Sequence, residues 1–365
     1  MSNSPEDCAS ELNGKLISFL QFPRVNVVVT CFNYDRFIVQ ALNSVAQQTY
    51  TEFSCVIVDD ASTDGSGETI NRWIAGRGDP RFRLIQNQRN LGQMGSFAVA
   101  LAATEGEFVA LLDADDIWFP NFLGRHVEVH LNQLQPAGAS CSDLVQIDAE
   151  GRVLAGSAMA AASESGGVKL KKFIVSDADL LSGADVSLVK SEPKEVRYIA
   201  ADWGAWHWSV TSGMLFRRSL VELFVPANTE RLRLGADIYL MVLSHGFAGS
   251  FVIRDKLGAY RRHGNNNFAS LPVFGTPGVA PLAATVENLG NAYGAILDHM
   301  LDASERISAA FSPGAFRKQL RSLFRLFLRQ GKVPRDPRIA AMVGHRRVFT
   351  DRMQAKIGFL RRKLV

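Results

Sequence analysis

Glu107–Asp113 reads EFVALLD, and Ala114, Asp115 and Asp116 follow it directly. The unbroken apolar run is the pattern of a strand covered on both faces. It ends in Asp113, Asp115 and Asp116, three carboxylates within four positions. A single acidic residue after a strand is ordinarily a helix N-cap or a turn residue. Three so close repel one another strongly, and a compensating cation is required. Hard oxygen ligands with open positions suit Mg2+ or Mn2+ bridging a diphosphate.

The same pattern recurs on either side. Upstream, Val25–Thr30 (VNVVVT), FSCVIVDD ending at Asp60, and Arg81–Asn87 (RFRLIQN) are strands. Between them, Asp35–Gln48 is a helix with Phe37, Ile38, Ala41, Leu42 and Val45 on one face. A turn-rich STDGSG leads into a helix through Trp73, with Asp64 as its cap or turn residue, and another helix lies around Ser96–Ala103. Downstream of Pro136, ASCSDLVQID is a strand with a turn at Glu150-Gly151, and Ser212–Phe216 and Gly249–Ile253 are strands flanking a helix that starts near Asp237. Buried strands alternating with helices predict a three-layer α/β/α fold with a mainly parallel sheet. Ligands of such sheets bind beyond the carboxyl ends of the strands, and the acidic clusters Asp59-Asp60, Asp113–Asp116 and Asp237 are placed there.

The 365 residues are 47% hydrophobic and 21% charged, ordinary for a globular chain. Glu6, Asp7 and Glu11 precede any apolar run, the wrong sign for a secretory signal, and no apolar stretch reaches bilayer-spanning length. A cytoplasmic protein is expected. Cys8, Cys31, Cys55 and Cys141 lack metal-site spacing and are expected reduced. The net charge of +4 conceals a basic tail: Phe316–Val365 holds fifteen Lys and Arg against two Asp, so the body is net acidic and is not expected to bind nucleic acid. The tail is helical, with a stripe of Val286, Leu289, Tyr293, Leu297 and Met300, and a second of Phe316, Leu320, Leu323, Phe324 and Phe327. Arg317, Arg321 and Arg325 line another face. Two readings stand: a helix packed on the body with a solvated cationic face, or peripheral contact with anionic lipid at the inner face of the membrane.

Taken in order, VVVTCFNYDRFIVQALNSVAQQTY, VIVDDASTDGS and NQRNLGQMGSFAVALAATEGEFVALLDADDIWFP resemble the family-2 glycosyltransferases, over about Arg24 to Arg262. The resemblance implies a GT-A fold and inverting transfer of a sugar from a UDP or dTDP sugar to a hydroxyl of a saccharide or lipid-linked acceptor. It implies a nucleotide pocket lined by Thr30, Asn33 and Tyr34, with Tyr34 against the base, and Asp59 accepting a hydrogen bond from a uracil or thymine N–H. Asn90, Gly92 and Gln93 would lie near the ribose and sugar, Asp113 and Ala114 would belong to the donor site, and Asp116 would support their loop. Asp115 would hold a Mn2+ or Mg2+ ion, with His263 of YRRHGNN nearby. Gly213, opening GMLFRR, would pass beneath the donor sugar, and Asp237 would be the general base. The implied organisation is a lead-in at 1–22, a GT-A domain at 23–263 (donor half about 23–135, acceptor half about 136–263), a Gly/Pro/Asn-rich linker at 264–282 and a basic helical region at 283–365. Residues 155–200, rich in Ala, Ser and Gly, are expected to form a partly mobile insertion.

The chain departs from the family at Ala236, where an acidic residue usually precedes the catalytic one, and it lacks the Gln-x-x-x-Arg-Trp motif of processive synthases, which favours single transfers. Three rival readings fit the sequence less well. A sugar-phosphate nucleotidyltransferase wants a Gly-rich basic loop where this chain has TCFNYDRF, and a dinucleotide-dependent dehydrogenase wants G-x-G-x-x-G there. An inactive nucleotide-sugar-binding protein is favoured only by Ala236. His126 and His130 read as ordinary helix-surface histidines. Trp203, Trp206, His207 and Trp208 are either core or an acceptor platform.

Overall fold

Strand β1 (Val25–Cys31) is buried on both faces, because β-branched residues alternate toward two separate helical layers. In the computed structural model, which describes residues 21–159, 196–203, 206–264, 266, 283–329 and 334–363, β1 is followed by α1 (Asp35–Ala46), β2 (Phe53–Asp59), α2 (Ser66–Arg77), β3 (Phe82–Gln86), α3 (Gly92–Ala102) and β4 (Phe108–Asp113). These strands lie in the order β3-β2-β1-β4, all parallel. Their register sets Cys31 level with Asp59, Thr30 level with Asp113, and Asp59 level with Gln86. The acidic strand ends therefore share one edge.

The second half contributes β5 (Ile117–Trp118), α4 (Phe122–Asn132), β6 (Ala139–Ile147), β7 (Val153–Ala155), β8 (Val196–Ile199), β9 (Met214–Arg217), α5 (Arg218–Phe224), α6 (Ala236–Ala248) and β10 (Ser250–Arg261). It extends the sheet as β4-β9-β6-β10-β5, with β9 antiparallel to both neighbours and β10 parallel to β6. The sheet is thus parallel through its first half and mixed beyond. Helices α1, α2 and α4 pack on one face around Ile38, Leu42, Ile70 and Phe122, while α3, α5 and α6 cover the other around Phe97, Phe224 and Leu240.

Past the insertion and linker, α7 (Ala283–Asp302), α8 (Ser304–Phe311), α9 (Pro313–Arg329), α10 (Pro337–Val343) and α11 (His345–Lys363) form the helical tail. The stripe Phe316, Leu320, Leu323, Phe324 and Phe327 is buried, in the same apolar cluster as α3, α5 and α6. The packed reading of that stripe is the one observed. Arg321 and Arg325 do not form a free cationic face, because both bond the buried Asp351 of α11 at 2.8–3.0 Å. Burial opposes charge on Asp351, but these bonds outweigh it and hold the carboxyl below its usual range. Among the described residues no helix is long and apolar enough to cross a membrane.

One sequence expectation fails in the middle layer. His126 and His130 are not on the helix surface; both are buried against the sheet and meet the Ser140 hydroxyl at 2.7 and 3.1 Å. Burial drives both below the ordinary imidazole range, His130 to about 3, so they are neutral core residues. Cys31, Cys55 and Cys141 are free and buried, their thiols pushed up by burial. Cys8, most of the lead-in, residues 160–195 and most of the linker lie outside the described residues.

Candidate active site

The aspartate loop is built from three directions. Asp113 ends β4 and its N–H donates to the Ser212 hydroxyl at 3.0 Å, while Asp116 N–H closes the turn on Asp113 O at 3.1 Å. From β10, Arg261 N–H donates to Asp116 Oδ1 at 2.8 Å, and the buried Arg261 guanidinium donates to Asp115 O at 2.7 Å and Gln40 Oε1 at 2.6 Å. It also reaches Asp148 O and Ala149 O at 3.3 and 3.1 Å. His263, just past β10, sets Nε2 at 2.9 Å from Asp115 Oδ2 and stacks on Phe37 with centroids 5.1 Å apart. Asp115, Asp116 and His263 are all buried.

Burial, then the charges of Asp115 and Asp237, push Asp113 up to about 8, with hydrogen bonding from Thr211 and Gln93 pulling the other way. Asp116 is raised by burial and by Asp115 and Asp113. Its Oδ2 is buried without a hydrogen-bond partner. The loop is therefore short of positive charge even with Arg261 beneath it. Among the described residues no three His, Cys, Asp or Glu side chains form a ready-made metal cage. A Mg2+ or Mn2+ ion that bridges a diphosphate needs only one or two protein ligands beside phosphate oxygens and water. Asp115 and the adjacent His263 fit that smaller demand.

A second group of sequence-predicted residues lies around β1 and β2. Asp59 is buried, accepts Ser62 N–H at 3.1 Å and faces Gln86 Nε2 at 3.3 Å. Gly67 of α2 leaves the carboxylate its space, since a Cβ there would come within 2.6 Å of Asp59 Oδ2. Asn33 takes φ +62° and ties the loops together, donating from its N–H to Ser62 Oγ and accepting Thr63 N–H at 2.8 Å. Asp64 accepts the N–H groups of Asp35 and Ser66 at 3.0 Å each, linking the starts of α1 and α2. Thr30 is half-buried one residue before the end of β1. Tyr34 turns its ring edge to His263, at 6.0 Å, and lies near the aspartate charges, which, after burial, raise its phenol. Phe32, with 43% of its surface exposed, is the freer aromatic at this strand end. Sequence reading passed over it.

The loop carrying Asn90, Gly92 and Gln93 is held by Asp60, which accepts the N–H groups of Leu91 and Gly92, each at 2.8 Å, and Asn87 Nδ2 at 2.7 Å. Gly92, at φ +76°, has no room for a side chain, because a Cβ would meet Arg233 Cα at 2.5 Å. Gln93 crosses to the other half: its Oε1 accepts the N–H groups of Gly235 and Ala236 at 3.1 and 3.0 Å. It thereby caps α6, whose N-cap residue is Gly235. Asp237 is in the first turn and is not the N-cap residue, so the plain capping role is filled by Gln93. Thr211, in the 3-10 turn Thr211–Gly213 before β9, donates to Asp237 Oδ2 at 3.1 Å. Asp237 Oδ1 is buried without a hydrogen-bond partner, and burial raises the carboxyl. Gly213 packs against Ser142 O and Ser209 Oγ, where a Cβ would stand at 2.7 and 2.5 Å. Ala114 is fully buried beneath the loop.

Trp203 and Trp208 are core: Trp203 Nε1 donates to Gln319 of α9 at 2.6 Å, and Trp208 Nε1 to Ser250 Oγ at 2.9 Å. Trp206 and His207 are half-buried beside Trp208.

A family model described as "Glycosyl transferase family 2" matches residues 26–142. An uncharacterized glycosyltransferase of Nostoc sp. is 30% identical over 254 residues, 68% of this chain and 67% of the relative. A UDP-Glc:alpha-D-GlcNAc-diphosphoundecaprenol beta-1,3-glucosyltransferase of Escherichia coli is 30% identical over 107 residues, 29% of this chain and 41% of that protein. Among solved structures, Staphylococcus aureus TarS in complex with UDP aligns over 93% of this chain and 91% of its own at 15% identity and a TM-score of 0.48.

Proposed function

The chain belongs to glycosyltransferase family 2, and from that premise we propose that it transfers one sugar with inversion from a UDP or dTDP sugar to an acceptor hydroxyl. The observation that supports this most is the meeting of two acidic residues on one turn: the Asp113 backbone N–H donates to Ser212 Oγ, and the adjacent Thr211 hydroxyl donates to Asp237 Oδ2. Asp115 and His263 would hold the divalent cation, which neutralises a diphosphate leaving group when bound. Asp59 would accept the imide N–H of uracil or thymine, and the exposed Phe32 ring would offer the base a freer platform than Tyr34. Asn90 and Gln93 would border the ribose and sugar, with Gly213 and Ala114 leaving space below. Asp237 would take the acceptor proton on Oδ1 as the new bond forms. Its raised affinity for a proton suits that task.

Thermal-shift measurements with and without Mn2+ test the donor site. UDP or dTDP at a hundredfold excess over Kd is expected to stabilise the protein by about 2.7 kcal/mol, and ADP or CDP by less. Asp115→Ala is expected to fold normally and lose the Mn2+-dependent part of that gain. Equal shifts from all four nucleotides would refute the base assignment, and an undiminished shift in EDTA would refute the cation.

The acceptor is proposed to be lipid-linked. The Escherichia coli relative is named for such an acceptor. On α11, Phe349 (66% exposed) and Met353 (44% exposed) stand one turn apart, beside exposed Arg346, Arg347 and Arg352. Apolar side chains flanked by cations are what an anionic bilayer surface attracts. Co-sedimentation with phosphatidylserine vesicles is expected to exceed that with neutral ones and to fall with salt. Phe349→Glu with Met353→Glu is expected to reduce it to the neutral level. Equal binding to both vesicle types would leave α11 without this role.

A further inference from the structure

The turn Thr211–Gly213 carries more than a connection into β9. It is fixed from several sides. Gly213 N–H bonds Val210 O at 2.9 Å, Trp118 Nε1 donates to Ser212 O at 2.6 Å, and Asp113 N–H donates to Ser212 Oγ at 3.0 Å. Gly213 fits only because it has no side chain. Ser212 is fully buried and Thr211 is 7% exposed. The Thr211 hydroxyl therefore has a set place, and a β-branched side chain narrows its rotamers further.

That hydroxyl donates to Asp237 Oδ2 at 3.1 Å and also stands within reach of the Asp113 carboxylate, so it lies between the two acidic groups. The other oxygen, Oδ1, is buried with no partner. Beside the backbone N–H of Ile238, the Thr211 hydroxyl is the side-chain group that bonds this carboxylate, so it helps set the direction of the second oxygen. We propose that Thr211 is a positioning residue for the transfer reaction. It aims Asp237 Oδ1 at the acceptor hydroxyl and keeps it in register with the aspartate loop, to which Ser212 is bonded. This rests on the reading of Asp237 as general base. One rigid turn thus sets the spacing between the group that receives the proton and the loop that faces the donor.

The test is a double-mutant cycle on purified full-length protein. The donor is whichever nucleotide sugar of a UDP-, dTDP- and GDP-sugar panel raises the melting temperature most, and release of nucleoside diphosphate is followed. Thr211→Val keeps the shape and removes the hydroxyl. It is expected to lower kcat about ten- to hundredfold, the scale of a hydrogen bond to a charged group, with donor KM within about twofold. Thr211→Ser is expected to recover most of the loss. Ser212→Ala, which frees the Asp113 N–H, is expected to act mainly on donor KM. In an Asp237→Asn background Thr211→Val is expected to cost little more, because the two act as one unit. If Thr211→Val fails to fold, Thr211→Ala takes its place in the cycle. A Thr211→Val loss that is additive with Asp237→Asn, or absent while Asp237→Asn is inactive, overturns the positioning role alone. Near-normal turnover in Asp237→Asn overturns the general-base reading beneath it.

Discussion

Asp237→Asn is expected to cut turnover by about a hundredfold or more while leaving the melting temperature and donor affinity near those of the unaltered protein. The geometry makes these outcomes separable. An Asp opening a helix ordinarily stabilises by capping, and Asn caps nearly as well. Here the cap is already supplied by Gln93 from the opposite half of the sheet. Asn keeps the oxygen that Thr211 bonds, so the side chain stays placed. It lacks a carboxylate to take a proton. The donor groups around Asp59 and Asp115 are untouched. Steady-state turnover, donor binding by calorimetry and thermal unfolding, measured side by side, check all three. Turnover close to normal would send the search for a base to His207 or His263.

Deletion of residues 283–365 is expected to leave a body that does not fold cooperatively. The tail covers the outer side of α5 and α6. Phe311 meets Phe247 at 4.8 Å between centroids, and His299 sits against Phe224 and Tyr239 and bonds Leu223 O at 3.1 Å. Gln319 holds the Trp203 indole. Leu232, Phe224 and Tyr239 are all fully buried. Uncovering even part of five such side chains, at about 1.5–3 kcal/mol each, rivals the about 5–15 kcal/mol that holds a domain together. Soluble yield and the circular-dichroism unfolding curve of residues 1–282 check this. A sharp two-state transition in that fragment would show the tail to be an independent appendage.

The parallel half of the fold was legible because its signals are local. Val25–Cys31, Phe53–Asp59 and Phe108–Asp113 are continuous apolar runs that end in acidic residues, and no other element type fits them. Legibility fell where chain direction or charge broke the pattern. The expected strand at Gly249–Ile253 continues to Arg261, because β10 passes Arg254, Asp255 and Lys256 through a register irregularity that erases the apolar rhythm. His126 and His130 looked like surface residues because polarity alone does not reveal a serine waiting inside the sheet. The site shows the same division. Asp59, Asp113, Asp115 and Asp237 lie at or just past strand ends or in a helix's first turn, the positions read for them from sequence. Asp60 was singled out with Asp59, but its hold on the Asn90–Gln93 loop was not, nor were Thr211 and Arg261, since what these three bond lies 31, 26 and 146 residues away in sequence. The exposure of Phe32 beside the less exposed Tyr34 was not legible either, because sequence spacing does not say which of two nearby aromatics turns inward.

Arg261 has a kinetic consequence. A guanidinium keeps its proton at any physiological pH, so the carbonyls of Asp115, Asp148 and Ala149 and the side chain of Gln40 are gathered by a permanent charge rather than an exchangeable one. The aspartate loop reaches its shape when the chain folds. The ordering entropy is met then, and a ligand arriving at the loop need not supply it. On the donor-site reading, the aspartate loop itself has no ordering step to complete before its ligand is held.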